Sequence, residues 1–291
     1  FPLHLSCPNS NMPELPEVET IRLGLEKYVV GHKIEDVEVK IPKIFEGETR
    51  QIIGSKVIKI RRFGKGLVVD LDNGHSLAIH VKLTGQLIYR DEKTKNIPVS
   101  KQKVGELPSK FTHIIFKLDH NAVLYYNDIR RFGWIKVVKT SEVASLPFFK
   151  GMGPEPFKDL TLEYFKKALL SSGVAVKPLI MDQKRIGGIG NIYANDALYL
   201  AEIDPKRPAK SLSSKEAEKL YDAVHKVMEK GLKYGGSSEL TYVNVLGLEG
   251  EYQRYTLVYG RQGDICERCG GKIKKIFLGG RGTFFCPACQ H

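Results

Sequence analysis

The sequence predicts an α+β protein: an N-terminal antiparallel β-sandwich with a leading helix, then a helical C-terminal domain ending in a β-hairpin that carries four cysteines. Three observations carry this. Short runs of strand-forming residues separated by turn residues fill residues 56–138, proline and glycine crowd residues 146–157, and beyond that break the apolar spacing becomes helical until two close cysteine pairs appear. At 291 residues the chain exceeds the roughly 250 at which single cores stop growing, so two folded units are expected.

Residues 1–11 have no basic n-region and too short an apolar stretch for a secretory signal; they read as an appendage, with the functional polypeptide expected to start at Met12. Val18, Ile21, Leu25 and Val29 keep helical spacing across residues 17–30, with Pro16 near the first turn and Glu17 and Glu19 suited to its positive end. The β pattern follows in Val57-Ile58-Lys59-Ile60, in Leu67 to Leu71, and in Ser76 to Val81 after a turn at Asp72-Asn73-Gly74. Residues 111–118, 122–126 and 134–138 continue it. The sandwich domain therefore covers residues 12–145, and Pro147, Gly151, Gly153, Pro154 and Pro156 stiffen a linker over residues 146–160. Helical stretches are expected at residues 162–170, 174–182, 191–200 and 213–234, the last opened by Ser213 with Glu216, in a domain spanning residues 161–260. Residues 261–291 form the cysteine module.

Lys and Arg outnumber Asp and Glu by 45 to 33, and the net charge of +12 favours a polyanion such as nucleic acid. No run of about 18 apolar residues offers a transmembrane helix. Five cysteines are too few for a disulfide framework; Cys266, Cys269, Cys286 and Cys289, in two pairs with the same two-residue gap, fit one structural Zn2+ held tetrahedrally in a reducing compartment. Lys272, Lys274, Lys275 and Arg281 lie between the pairs among Ile273, Ile276 and Phe277, either as a groove-entering element or as a solvated basic face. Gly187, Gly188 and Gly190 permit close backbone approach, and a helix starting at Asn191 aims free amides at an anion such as phosphate, unless the segment is a plain interhelical turn. Lys56, Lys59, Arg61, Arg62 and Lys65 form a second basic cluster. Arg130, Arg131 and Phe132 form a third, suited to filling the gap left by an extruded base, with core packing of Phe132 as the alternative.

Pro-Glu-Leu-Pro-Glu-Val-Glu-Thr at residues 13–20 resembles the amino terminus of the bacterial formamidopyrimidine-DNA glycosylase family. The likeness continues in order through Arg61-Arg62-Phe63-Gly64-Lys65, Asp128-Ile129-Arg130-Arg131-Phe132-Gly133, Gly153-Pro154-Glu155-Pro156, Lys177 to Asp182, Gly188 to Ala194 and the cysteine hairpin, spanning residues 12–291. The resemblance implies a helix-two-turn-helix domain and a zinc finger behind the sandwich. It also implies a bifunctional DNA-repair glycosylase and abasic-site lyase that excises oxidised purines, 8-oxoguanine and formamidopyrimidine, from double-stranded DNA by base flipping. Pro13, freed of Met12, would be the secondary-amine nucleophile; Glu14 would act as acid and base at the sugar, Lys65 in β-elimination and Arg281 in δ-elimination. Arg130, Phe132 and Leu83 would fill the vacated stack, and Lys177 and Asn191 would grip phosphate. A monomer in the bacterial cytoplasm or nucleoid, without membrane or redox cofactor, completes that expectation.

Departures from the family pattern are visible. Leu83 stands where relatives usually have Met, Phe111-Thr112-His113 where they carry His-x-His, and a basic residue common around Ser171-Ser172-Gly173 is missing. Two other readings compete. An endonuclease VIII-like enzyme for oxidised pyrimidines usually begins Pro-Glu-Gly-Pro, against which Leu15 argues; retention of the leader would leave a non-catalytic DNA-binding zinc protein. Residues 235–255 form the loop expected to cover a flipped base.

Overall fold

The computed structural model describes residues 13–291, so the expected start at Met12 and the segment before it lie outside the described residues. Helix α1 (Leu15–Tyr28) begins at Glu14, whose own N–H donates to Glu17 Oε2 at 2.8 Å, so the first turn is closed by an acid three residues on. Its apolar stripe faces two ways. Leu15 packs in the core of the helical domain, whereas Val18, Ile21 and Leu25 pack in the core of the sandwich. The leading helix is thus the seam between the two domains.

Among the described residues, the N-terminal strands are β1 (Ile34–Val39), β2 (Phe45–Glu46), β3 (Val57–Phe63), β4 (Gly66–Leu71), β5 (His75–His80), β6 (Gly85–Arg90), β7 (Thr112–Leu118), β8 (Val123–Asp128) and β9 (Trp134–Lys139). They build two sheets, in the orders β1-β7-β8-β6 and β2-β9-β5-β4-β3. Pairing is antiparallel except for the short β2 beside β9. All six residues of β4 are buried instead of alternating. The reason is a cover on its outer face: Val143, Phe148 and Phe149 cluster with Val68 and Ala78, so this strand has apolar neighbours on both sides.

The C-terminal half contains α2 (Leu162–Leu170), α3 (Val176–Ile180), α4 (Asn191–Leu200), α5 (Ser214–Lys233), β10 (Lys274–Leu278) and β11 (Arg281–Phe285). The capping box expected at Ser213 and Glu216 is present. Helix α3 is shorter than its periodicity suggests. Ala175 bridges Pro208 and Val176 N–H donates to the Arg207 carbonyl, so the preceding residues are extended. Beyond the helix, the Asp182 carbonyl accepts from Arg185 and Ile186 in a turn. The β10–β11 hairpin is tied back to the helices, because Asn195 Oδ1 on α4 accepts the Phe284 N–H at 2.7 Å.

Candidate active site at the interdomain seam

The glycine-rich segment before α4 does what its composition suggests, with a different anion than phosphate. Glu14 Oε1 accepts the Ile192 N–H at 2.8 Å and Oε2 the Tyr193 N–H at 3.4 Å, so the carboxyl group of the leading segment occupies the α4 N-terminus. Two glycines allow it. A Cβ on Gly190 would sit 2.2 Å from Glu14 Cδ; on Gly188, which has φ +91°, it would sit 2.3 Å from Leu15 Cδ1.

Burial dominates the electrostatics of Glu14. Its side chain is withdrawn from water, which pushes its pKa up to about 7; Lys65 opposes the rise, nearby Glu17 adds to it, and the α4 amides oppose it. Glu17 is itself raised by burial and is held by the Tyr193 hydroxyl at 2.6 Å and the Ser237 N–H at 2.8 Å. Lys65 projects from the tight β3–β4 turn, buried, with Nζ donating to the Ile189 carbonyl at 3.1 Å. Desolvation lowers its pKa, against the attraction of Glu14 and Glu17 and together with repulsion from Arg281. A buried acid and a buried amine, each displaced toward neutrality, therefore lie beside one another.

Pro13 precedes this acid directly and is buried. It lines a small cavity with Glu17 and Ile192, roofed by Leu240, Thr241 and Tyr242 of the segment after α5. Residues 237–242 thus form a close-fitting lid over Pro13, with about 10 Å³ left between them, room for about one water molecule. Arg281 opens β11 and is exposed, and its charge reaches both Lys65 and Lys177. Lys177, expected to grip phosphate, sits against the hairpin that carries Arg281. It is 1% exposed, with Nζ donating to the Gly282 carbonyl at 2.9 Å and to Thr283 Oγ1 at 2.7 Å. Burial lowers its pKa to about 7, Glu14 opposing and Arg281 assisting. Asn191 is half-buried at the start of α4, its carbonyl accepting from Asn195 Nδ2 at 2.6 Å.

Leu83, Arg130 and Phe132 are brought together on two adjacent loops. Phe132 is 52% exposed, which sets aside the core-packing alternative, and Arg130 lies over its ring at 4.7 Å. Arg131 and Lys82 both adopt left-handed backbone, at φ 56° and 50°. One buried carboxylate holds the arrangement: Asp128 accepts from the Thr84 hydroxyl, from the Arg130 N–H at 3.2 Å and from the Gly133 N–H at 2.8 Å. The Leu83 turn is closed from its other side by His80, whose Nδ1 accepts the Lys82 N–H at 2.9 Å. Burial, with Lys82 and Lys65 nearby, lowers the pKa of His80 to about 3, so it stays neutral.

The second basic cluster is largely internal. Arg62 pairs with Glu19 and Glu155, both at 2.6 Å, and Arg61 with Asp70 at 2.6 Å, whereas Lys56 and Lys59 are exposed. Glu155 also accepts the Gly64 N–H at 2.7 Å, so the linker pins the turn that carries Lys65. Sequence reasoning missed Glu17, Asp128 and Tyr193 as organisers. The signal available was polarity within segments that otherwise read as buried.

At the chain's end the sulfur atoms of Cys266, Cys269, Cys286 and Cys289 all lie within 4.8 Å of one another. The Cys266–Cys289 and Cys269–Cys286 separations of 3.8 and 3.4 Å match the roughly 3.8 Å edge of a zinc tetrahedron with Zn–S near 2.3 Å. The Tyr199 hydroxyl, 3.2 Å from Cys266 Sγ, and the Gly271 N–H donating to Cys269 Sγ at 3.4 Å suit thiolates. The donor set fits one structural zinc with no open coordination position.

Comparison with known proteins follows the same order along the chain. Residues 12–135 match the family model for the formamidopyrimidine-DNA glycosylase N-terminal domain, residues 152–242 that for the formamidopyrimidine-DNA glycosylase H2TH domain, and residues 263–291 that for a zinc finger found in FPG and IleRS. A formamidopyrimidine-DNA glycosylase of Desulforamulus reducens is 40% identical over 287 residues, covering 96% of this chain and 99% of the relative. One from Pelotomaculum thermopropionicum is 38% identical over 285 residues, with coverage of 96% and 99%. The Lactococcus lactis Fpg solved with DNA containing an abasic site superposes with a TM-score of 0.84 at 34% identity, covering 96% of this chain and 99% of that one. The MutM (FPG) protein from Thermus thermophilus gives 0.83 at 34%, covering 96% and 98%. Agreement of all three domain models in chain order, with relatives matched over nearly their whole length, shows that the chain belongs to the formamidopyrimidine-DNA glycosylase family.

Proposed function

We propose that the protein, processed to begin at Pro13, is a bifunctional glycosylase and lyase for oxidised purines such as 8-oxoguanine and formamidopyrimidine in duplex DNA. One observation carries this reading: a carboxyl group poised near neutrality stands on the residue next to a proline that faces a lidded cavity. A free prolyl secondary amine has a pKa near 8, so a useful fraction is unprotonated at neutral pH. Its nitrogen attacks the anomeric carbon of the flipped nucleotide, and the damaged base leaves with the bonding pair. Glu14 in its protonated form donates to the opening sugar ring.

The resulting iminium acidifies the C2′–H bond, whose electron pair expels the 3′ phosphate as the proton leaves to a base; loss of a second proton, from C4′, then expels the 5′ phosphate. Lys65, with its lowered pKa, is suited to proton transfer in the first elimination, and Arg281 to stabilising phosphate in the second. Arg130, Phe132 and Leu83 enter the duplex where the base has left it, and Asn191 contacts backbone phosphate. Lys177 acts through the Arg281 hairpin that it holds. The zinc hairpin docks on the DNA. One copy of the chain acts on one lesion, in the reducing, DNA-containing compartment of a bacterial cell, where zinc thiolates persist.

The test is a pair of duplexes, one with 8-oxoguanine and one with an oxidised pyrimidine, incubated with protein starting at Pro13. Base release and strand scission on the purine substrate, well ahead of the pyrimidine, are expected. A reversed preference contradicts the purine assignment, and base release without scission contradicts the lyase.

A further inference from the structure

The lid over Pro13 is encoded in the helical half of the chain but fastened to the sandwich. Gln86, on β6 and 3% exposed, donates through Nε2 to the Thr241 carbonyl at 2.6 Å and to the Lys103 carbonyl at 3.0 Å. Lys103 Nζ in turn donates to the Leu240 carbonyl at 2.7 Å, and its ammonium lies 3.7 Å from Glu249. Val243 of the same segment is buried against Ile88 and Val104, so the excursion joining β6 to β7 forms a small core with the lid. The Thr241 hydroxyl donates to the Leu83 carbonyl at 3.0 Å, joining the lid to the turn that presents Leu83. The Leu240 and Thr241 carbonyls of the lid thus find donors on the sandwich side of the seam.

We propose that Gln86 and Lys103 are positioning residues that anchor the lid over Pro13 to the sandwich, so that it can grip a base flipped beneath it. They would set the rate at which an intact damaged base is removed, without affecting cleavage where the base is already gone. The proposal rests on the function assigned above. The logic is geometric: a base flipped to Pro13 must be admitted and gripped by the segment that now packs closely over that residue, whereas an abasic sugar presents nothing for the lid to hold. Loss of the Lys103 donor replaces a fixed cross-link to the exposed Leu240 carbonyl by mobile water and so loosens the segment that roofs the cavity.

Lys103→Met keeps the aliphatic stem and removes the donor; Gln86→Leu does the same at the buried end. Single-turnover base removal from an 8-oxoguanine duplex and scission of a preformed abasic duplex would be measured for both variants and for the parent chain beginning at Pro13. Amide exchange across residues 240–246 would be followed in parallel. Base removal is expected to fall about tenfold in each variant, abasic scission to stay within about twofold, and lid amides to exchange faster. Unchanged base removal, or an equal fall in both activities, overturns the proposal. Unchanged lid exchange in Lys103→Met overturns it whatever the activities. A parent chain that neither removes the base nor cuts the abasic duplex would instead sink the functional reading, leaving exchange alone to judge the latch.

Discussion

Replacing Glu14 with Gln should separate catalysis from stability and reverse the sign of the stability change with pH. In the fold this carboxyl titrates at about 7 against an ordinary 4.5, because burial outweighs its partners. A raised acid stabilises the folded state below its unfolded pKa, and that contribution is lost as pH rises through the folded value. At about 1.4 kcal/mol per pH unit, ionising the buried group costs about 3 kcal/mol by the time titration is complete. Gln never ionises. Its oxygen can keep the 2.8 Å bond from the Ile192 N–H, while its amino group faces the Tyr193 N–H, a constant penalty of about 1 kcal/mol. Urea denaturation should therefore find Glu14→Gln about 1 kcal/mol less stable than the parent near pH 4, about equal to it slightly above pH 5, and about 2 kcal/mol more stable near pH 8.5. Base removal should fall about 100-fold or more near pH 7, as expected for loss of a general acid, with duplex binding retained. A stability difference that does not change with pH would refute the burial argument, and normal base removal would refute the acid–base role.

Other consequences can be checked separately. Gly190→Ala puts a methyl group 2.2 Å from Glu14 Cδ, so it should cost about 1–3 kcal/mol in urea denaturation and slow base removal; parental values in both would contradict the close approach at the α4 N-terminus. Phe132→Ala removes a ring that is 52% exposed, so stability should stay within about 0.5 kcal/mol while base removal from duplex falls by about tenfold or more. An equal loss on a bulged, already unstacked substrate would argue against insertion. Cys289→Ser should release zinc, loosen the hairpin that carries Arg281, and weaken duplex binding; metal analysis with a binding titration decides, and unchanged affinity after full zinc loss would contradict the coupling.

Much of the architecture was legible because it rests on local pattern. The bounds of α2 and α4 follow from apolar spacing and caps, and the zinc ligands from two matching gaps. Strand β1 was not read, because Glu35, Asp36 and Glu38 interrupt the apolar residues and an irregularity between Ile34 and Asp36 breaks the alternation. Nothing local in the basic cluster at Arg61 and Arg62 reveals that Glu155, 93 residues away, pairs with and helps bury Arg62. Likewise the glycines before α4 announced a close approach to an anion, but its identity as Glu14 is a contact across 178 residues. Nothing local to Lys177 announces that its ammonium is held by Gly282 and Thr283, more than a hundred residues away. Excursions without periodicity, such as residues 91–111, carry no local sign that they hold a lid.

The most direct test is chemical capture of the bond at residue 13. Protein beginning at Pro13 should be reduced with borohydride while acting on an 8-oxoguanine duplex, and the cross-linked peptide sequenced by mass spectrometry. The account predicts a covalent DNA adduct on the Pro13 nitrogen, absent when Met12 is retained. A cross-link on Lys65, or active protein that still carries Met12, would contradict it.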